Sequence, residues 1–226
     1  MDAVMVGVSV APNLTYCWNE VMQHLSLLRY PPQHLCMHLV SHAEIEAKAA
    51  WDAWGQQQPF SVSSELFTDL RPGHRSGGGG YNPETAAVIM AVLEHVRQAF
   101  LRTDCKWLLL VECDQLVPPN LLKKLMARDL PIVMAATPAR HRPSHMNCAF
   151  GKGNRLHLEP IRELSREGLI PCASVGIGCT LLKREVLEAV GWENPLELVK
   201  KYGGNGPDVA ICLQATEVLG VQPCVD

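Results

Sequence analysis

Glu112-Cys113-Asp114 places two carboxylates two residues apart, directly behind the apolar run Trp107-Leu108-Leu109-Leu110-Val111. Where a chain leaves extended geometry, both acids of such a pair can turn toward one point. Hard oxygen donors of this kind suit Mg²⁺ or Mn²⁺, which keep waters and take phosphate oxygens as well. Two solvated loop acids are the plainer alternative, and a place just past a buried strand brings a site level with it. Asp208, in Gly206-Pro207-Asp208-Val209, opens an apolar helix. An acid there either favours the positive end of the helix or serves as general base toward a hydroxyl, and the first reading is the simpler one. Gly176-x-Gly178 precedes another apolar run and marks a tight turn or a close backbone approach.

His141, His145, Cys148 and His157 match no standard zinc spacing, and no second cysteine pair supports them. With Arg140 and Arg142 they read as a polar surface or lid near phosphate. A P-loop, a G-x-S-x-G and a G-x-G-x-x-G behind a strand are all missing from the sequence, which removes several enzyme classes.

Strands and helices must position these residues, and the pattern alternates between the two. Residues 4–10 form a β-branched run broken by Ala11-Pro12-Asn13, with Trp18, Val21, Met22, Leu25 and Leu28 at helical spacing behind it. A strand over 35–40, a helix over 43–54 and a strand over 60–67 follow. Residues 71–80 carry five glycines and few apolar anchors, as a mobile lid or linker would. Asn82-Pro83-Glu84 starts a helix with Ile89, Leu93, Val96 and Phe100 as its buried stripe. It feeds the run at 107–111, whose lack of polar alternation predicts a strand covered on both faces. Pro118-Pro119-Asn120 caps a helix to about 127, and 132–136 is the next strand. Residues 137–171 read as irregular. A strand over 179–182, a helix over 183–190, a helix over 208–219 with Ile211, Ala215 and Val218 facing the core, and a strand over 221–225 complete the chain.

The expected architecture is α/β, a doubly wound, mostly parallel central sheet flanked by helices in a single domain. Ligands bind such sheets at the carboxyl ends of the strands. That rule marks Ser9 and Ala11, Ser41 and His42, and above all Glu112 to Asp114.

The chain has 226 residues, 47% hydrophobic and 19% charged, enough to bury a sizeable core. Lys and Arg number 20 against 23 Asp and Glu, a net charge of −3, which argues against an obligate binder of nucleic acid or membrane surfaces. Nine cysteines without a C-x-x-C pair read as reduced thiols in a cytoplasmic protein. The apolar runs are too short to span a bilayer.

Four blocks, in order, resemble the GT-A glycosyltransferases, specifically small family 2-like enzymes of bacteria and phages. They are Glu94-His95-Val96-Arg97 with Lys106-Trp107 to Asp114, then Val117-Pro118-Pro119-Asn120, then Ser174-Val175-Gly176-Ile177-Gly178 with Cys179 to Leu187, and Gly206-Pro207-Asp208-Val209 to Gly220. They cover the chain from about residue 91 onward. The acidic motif departs from the family in opening with Glu and in its central Cys, and Pro207 replaces the usual Glu before the base.

The resemblance implies a GT-A-like fold and sugar transfer from a nucleotide-sugar donor, a UDP-sugar first, with Mn²⁺ or Mg²⁺. Glu112 and Asp114 match the metal-binding acidic motif, and Asp208 matches the catalytic base of inverting members. Residues 1–115 would hold the donor and 116–226 the acceptor. Ser9, Ala11, His42, Arg97, Cys113, Gly176 and Gly178 are the remaining candidate donor contacts. The acceptor would be a glycan, a small molecule or a modified nucleic acid. A nucleotidyltransferase and a catalytically inactive binding module are the alternatives. The former usually has a Gly-rich, basic loop after the first strand, where this chain has Ala11-Pro12-Asn13-Leu14.

Overall fold

The computed structural model describes residues 1–10, 16–42, 45–68, 83–139, 142–152, 155–158, 160, 168–202 and 206–226. Ala11, the glycine-rich lid at 71–80, Asn82, Arg140, His141 and the turn at 203–205 lie outside the described residues.

The hydrophobic run after Asp2 forms β1 (Val4–Val10), which pairs in parallel with β2 (Leu35–His42) on one side and β4 (Trp107–Glu112) on the other; β2 pairs in parallel with β3 (Ser61–Phe67). Beyond β4 the sheet continues through β12 (Cys179–Lys183), antiparallel to both β4 and β5 (Ile132–Met134), to β13 (Cys224–Val225) and β10 (Ile170–Pro171). The resulting order is β10-β13-β5-β12-β4-β1-β2-β3, a mostly parallel sheet of eight strands.

Helices cover both faces, as the all-apolar β4 requires. On one face α3 (Pro83–Leu101), α5 (Arg184–Ala189), α6 (Pro195–Lys201) and α7 (Pro207–Leu219) pack on Leu108 and Leu110. On the other, α1 (Trp18–Ser26), α2 (Ile45–Gly55) and α4 (Leu121–Met126) pack on Trp107, Leu109 and Val111. The strand's two-residue period thus assigns each side chain to one layer. The α3 layer sits so close to β1 that a β-carbon on Gly7 would stand 2.4 Å from Val96 Cγ1, so only glycine fits there.

Several expectations need correction. Among the described residues of 137–171 the chain is not simply irregular: β6 (Pro138–Ala139) pairs with β7 (Arg142–Met146), and β8 (Cys148–Lys152) pairs with both β9 (Arg155–His157) and β11 (Ser174–Val175). These strands are short and carry Arg, His and Pro, so partner strands rather than apolar alternation define them. Val218 is 62% exposed, because the buried face of α7 ends with Ala215 and its last turn runs past the core. Asn120 makes no side-chain cap to α4. The short helix α6 had no periodic signal of its own. No described helix is long and apolar enough to cross a membrane.

Candidate active site

Glu112 is the last residue of β4, and Ser9 of β1 is its register partner. The Gln115 N–H donates to the Glu112 carbonyl at 3.0 Å, so one tight turn carries both acids. The Glu112 N–H in turn donates to the Gly178 carbonyl at 3.1 Å, which ties the approach to β12 against the turn. A β-carbon on Gly178 would stand 3.2 Å from Glu112 Oε2 and 3.4 Å from Gln115 Cγ. Glycine therefore keeps the space beside the carboxylate open. By the alternation of β4, Glu112 faces the α3 and α7 layer and Cys113 the opposite one.

Cys113 accordingly is 1% exposed, with its side chain in the core below α1 and α4. It is no side-chain ligand, contrary to expectation. The segment behind it is laced to α1 and the turn that follows. The Tyr16 hydroxyl donates to Asp114 Oδ2 at 3.4 Å, and the Cys17 thiol donates to the Cys113 carbonyl at 3.8 Å. His24 Nδ1 lies 3.1 Å from the Val117 carbonyl, and the Arg29 N–H donates to the Pro119 carbonyl at 2.8 Å. Tyr16 and Gln115 stand at the acids without any spacing signal in the sequence. Tyr16 follows the break after the first strand, and that position is the one hint available.

At the neighbouring strand ends, His42 is 2% exposed, its ring tilted against Phe67 at 5.8 Å. Phe67 in turn meets His95 of α3 at 4.7 Å, and His95 Nδ1 lies 2.5 Å from Glu65 Oε1. His42 is thus placed at the expected edge, but its ring is packed inward. Gly176 is also constrained: a β-carbon there would stand 2.1 Å from Asn147 Nδ2, and its N–H donates to the Asn147 carbonyl at 2.8 Å. That glycine serves the contact between Asn147, just ahead of β8, and the loop leading to Gly178.

Asp208 is the second residue of α7, behind Pro207, and shares the sheet face toward which Glu112 points. It is half-buried, and loss of hydration pushes its carboxyl above the usual carboxylate range, against the opposing pull of its own N–H and that of Val209. A carboxylate of raised basicity is what proton abstraction near neutral pH calls for.

Arg97 does not approach this edge. Its Nη1 donates to Glu94 Oε1 at 2.7 Å and to Glu193 Oε1 at 3.0 Å, and its Nε donates to the Leu187 carbonyl at 2.6 Å. The guanidinium is 7% exposed and spoken for by two carboxylates, so the expected phosphate contact gives way to a structural joint. The joint continues toward the start of α7. Glu94 Oε2 accepts from the Trp192 N–H at 2.9 Å, and Trp192 Nε1 donates to the Pro207 carbonyl at 2.9 Å, one residue before Asp208. Replacing Arg97 by Met should leave Glu94 partly buried without its charged partner and cost about 3 kcal/mol, the usual scale for breaking a buried pair. Urea unfolding would read that loss.

Among the described residues no three His, Cys, Asp or Glu side chains are grouped to hold a metal ion, so His145, Cys148 and His157 form no zinc site there. The Glu112 and Asp114 turn nonetheless fits Mg²⁺ or Mn²⁺, which use one or two carboxylates and complete their shell with water and phosphate oxygens.

No protein-family model matches the sequence, and no curated protein matches it. Solved structures match in fold. The mannosyltransferase PcManGT from Pyrobaculum calidifontis, in complex with GDP-Man and Mn²⁺, aligns with 100% of this chain and 56% of its own, at 15% identity and a TM-score of 0.55. S. aureus TarS aligns with 99% of this chain and 35% of its own, at 14% identity and a TM-score of 0.55. A TarS 1-349 structure in complex with UDP-GlcNAc aligns with 99% and 56%, at 9% identity and a TM-score of 0.53. The chain therefore has a GT-A-like fold and spans about half the length, 56%, of two of these chains.

Proposed function

We propose that this protein transfers a sugar from a nucleotide-sugar donor, a UDP-sugar first, to an acceptor hydroxyl, inverting the anomeric centre. The observation that carries the reading is the Glu112 to Gln115 turn at the carboxyl end of the central strand, flanked by Ser9 and Gly178, on the sheet face that also carries Asp208. Residues 1–115 form the donor half and 116–226 the acceptor half. Glu112 and Asp114 would hold Mn²⁺ or Mg²⁺, which when bound neutralises charge on the departing diphosphate. Asp208 takes the proton of the acceptor hydroxyl as its oxygen attacks, and the Arg97-Glu94-Trp192 joint keeps the start of α7 in place for that task. The Tyr16 hydroxyl and the lacing of α1 hold the acid turn in its conformation.

A thermal-shift series tests the reading. UDP-sugars and GDP-mannose are added with Mn²⁺ or with EDTA, because a ligand that binds only the folded state raises Tm by mass action. The expected result is a rise with one donor class in Mn²⁺ and little or none in EDTA. No rise with any nucleotide-sugar under either condition sinks the proposal.

A further inference from the structure

At the amino edge of the sheet, opposite the acid turn, Cys36 Sγ and Cys105 Sγ lie 3.7 Å apart. Cys36 sits in β2 in register with Met5 of β1, and Cys105 lies just before β4, where the Lys106 N–H donates to the Ala3 carbonyl at 2.9 Å. The two sulfurs thus meet across the start of β1, from segments 69 residues apart in sequence. Cys36 is partly exposed and Cys105 is 6% exposed. Arg184 fastens the Cys105 segment: its Nε donates to the Cys105 carbonyl at 2.8 Å and its Nη2 to the Thr103 carbonyl at 2.6 Å. The Cys36 thiol above all, then the Thr103 hydroxyl and the Arg184 guanidinium, favour the thiolate at Cys105 against burial and the neighbouring Asp104 charge, while Cys36 stays a thiol.

We propose that Cys36 and Cys105 are a peroxide-sensitive dithiol that closes reversibly to a disulfide. The Cys105 sulfur attacks one oxygen of hydrogen peroxide; the O–O bond breaks, water leaves after taking a proton, and Cys105 becomes a sulfenic acid. The Cys36 sulfur then attacks the Cys105 sulfur, the S–O bond breaks and a second water leaves with the Cys36 proton. Two thiols are oxidised by two electrons and the peroxide is reduced to two waters. Closure needs the sulfurs to approach from 3.7 Å to bonding distance and, because β1 lies between β2 and β4, the backbone at Cys36 and the segment before β4 must draw together at this edge of the sheet. The bond would tie β2 to the segment before β4 and enclose β2, α2, β3 and α3 in one loop. Cys148 and Cys172 supply an internal control. They form a second thiol pair, but both of its members are buried, whereas Cys36 opens partly to solvent beside Cys105, so peroxide should oxidise the second pair far more slowly.

The test is peptide mapping of the reduced whole protein after a short exposure to hydrogen peroxide and quenching with an alkylating agent. The expected product is a Cys36–Cys105 linked peptide, about tenfold above any other cysteine pair and reversed by dithiothreitol, as the thiolate character of Cys105 and the partial exposure of Cys36 predict. Its formation should raise Tm, and Cys36→Ser or Cys105→Ser should abolish it. An unreacted pair, a different first disulfide, or sulfinic acid at Cys105 without the link would overturn the proposal. The mapping reads unaltered protein, so a variant that fails to fold leaves the test intact, and its outcome is independent of sugar transfer.

Discussion

Asp208→Asn is expected to fold, to bind donor as the unaltered protein does, and to lose transfer by about 10²–10⁴-fold, the usual contribution of a general base. Gly206 is the helix N-cap and Pro207 occupies the first turn, so the carboxyl of Asp208 is not what ends the helix. Asn keeps the shape and the oxygen that meets the backbone N–H groups, but it accepts no proton. Stability should therefore move by no more than the roughly 1 kcal/mol of a lost terminal interaction. The pH profile gives a second readout. Transfer needs the carboxylate form, and burial raises the Asp208 pKa, so the acid limb should fall at a pH above the ordinary carboxylate range and vanish in the Asn variant. Stability carries the opposite sign, since a group whose pKa is raised on folding holds its proton more tightly in the native state and loses that advantage as pH rises. Near-normal turnover in Asp208→Asn, or product that keeps the donor's anomeric configuration, would end this assignment.

Asp114→Ala should abolish both transfer and the dependence of donor binding on divalent cation. Calorimetry would show donor affinity in Mn²⁺ falling to the level measured in EDTA, because a single remaining carboxylate holds the ion poorly against the diphosphate. The fold should survive, since the turn is closed by the backbone bond from Gln115 to Glu112 and β4 is buried ahead of it. The Tyr16 hydroxyl would lose its acceptor, a small cost for a residue 75% exposed. Equal donor affinity of the unaltered protein in EDTA and in Mn²⁺ would remove the metal from the mechanism.

Along the sequence, what is local was legible. The apolar run at 107–111 without polar alternation announces a strand buried on both sides, and the acids behind it fall at the carboxyl edge wherever that strand lies in the sheet. The helix opened by Pro207 and Asp208 is equally readable, because proline and an acid in the first turn act within one turn of backbone. Arg97, Cys113 and Val218 show the limit. Helical spacing shows that Arg97 shares a turn with Glu94, yet the Leu187 carbonyl and Glu193, some ninety residues away in sequence, are what claim the guanidinium. The side of the sheet that Cys113 faces depends on how α1 and α4 cover β4. Val218 keeps the helical period but lies past the point where α7 leaves the core. The hairpins within 137–171 follow the same logic, since a short strand of Arg, His and Pro gains its conformation from the partner it bonds. Local backbone preference and apolar period are properties of a few adjacent residues. Which side chains share a charge, a thiol or a cleft is decided only when distant segments close on one another, because burial and the hydrogen bonds it demands arise in the packed state.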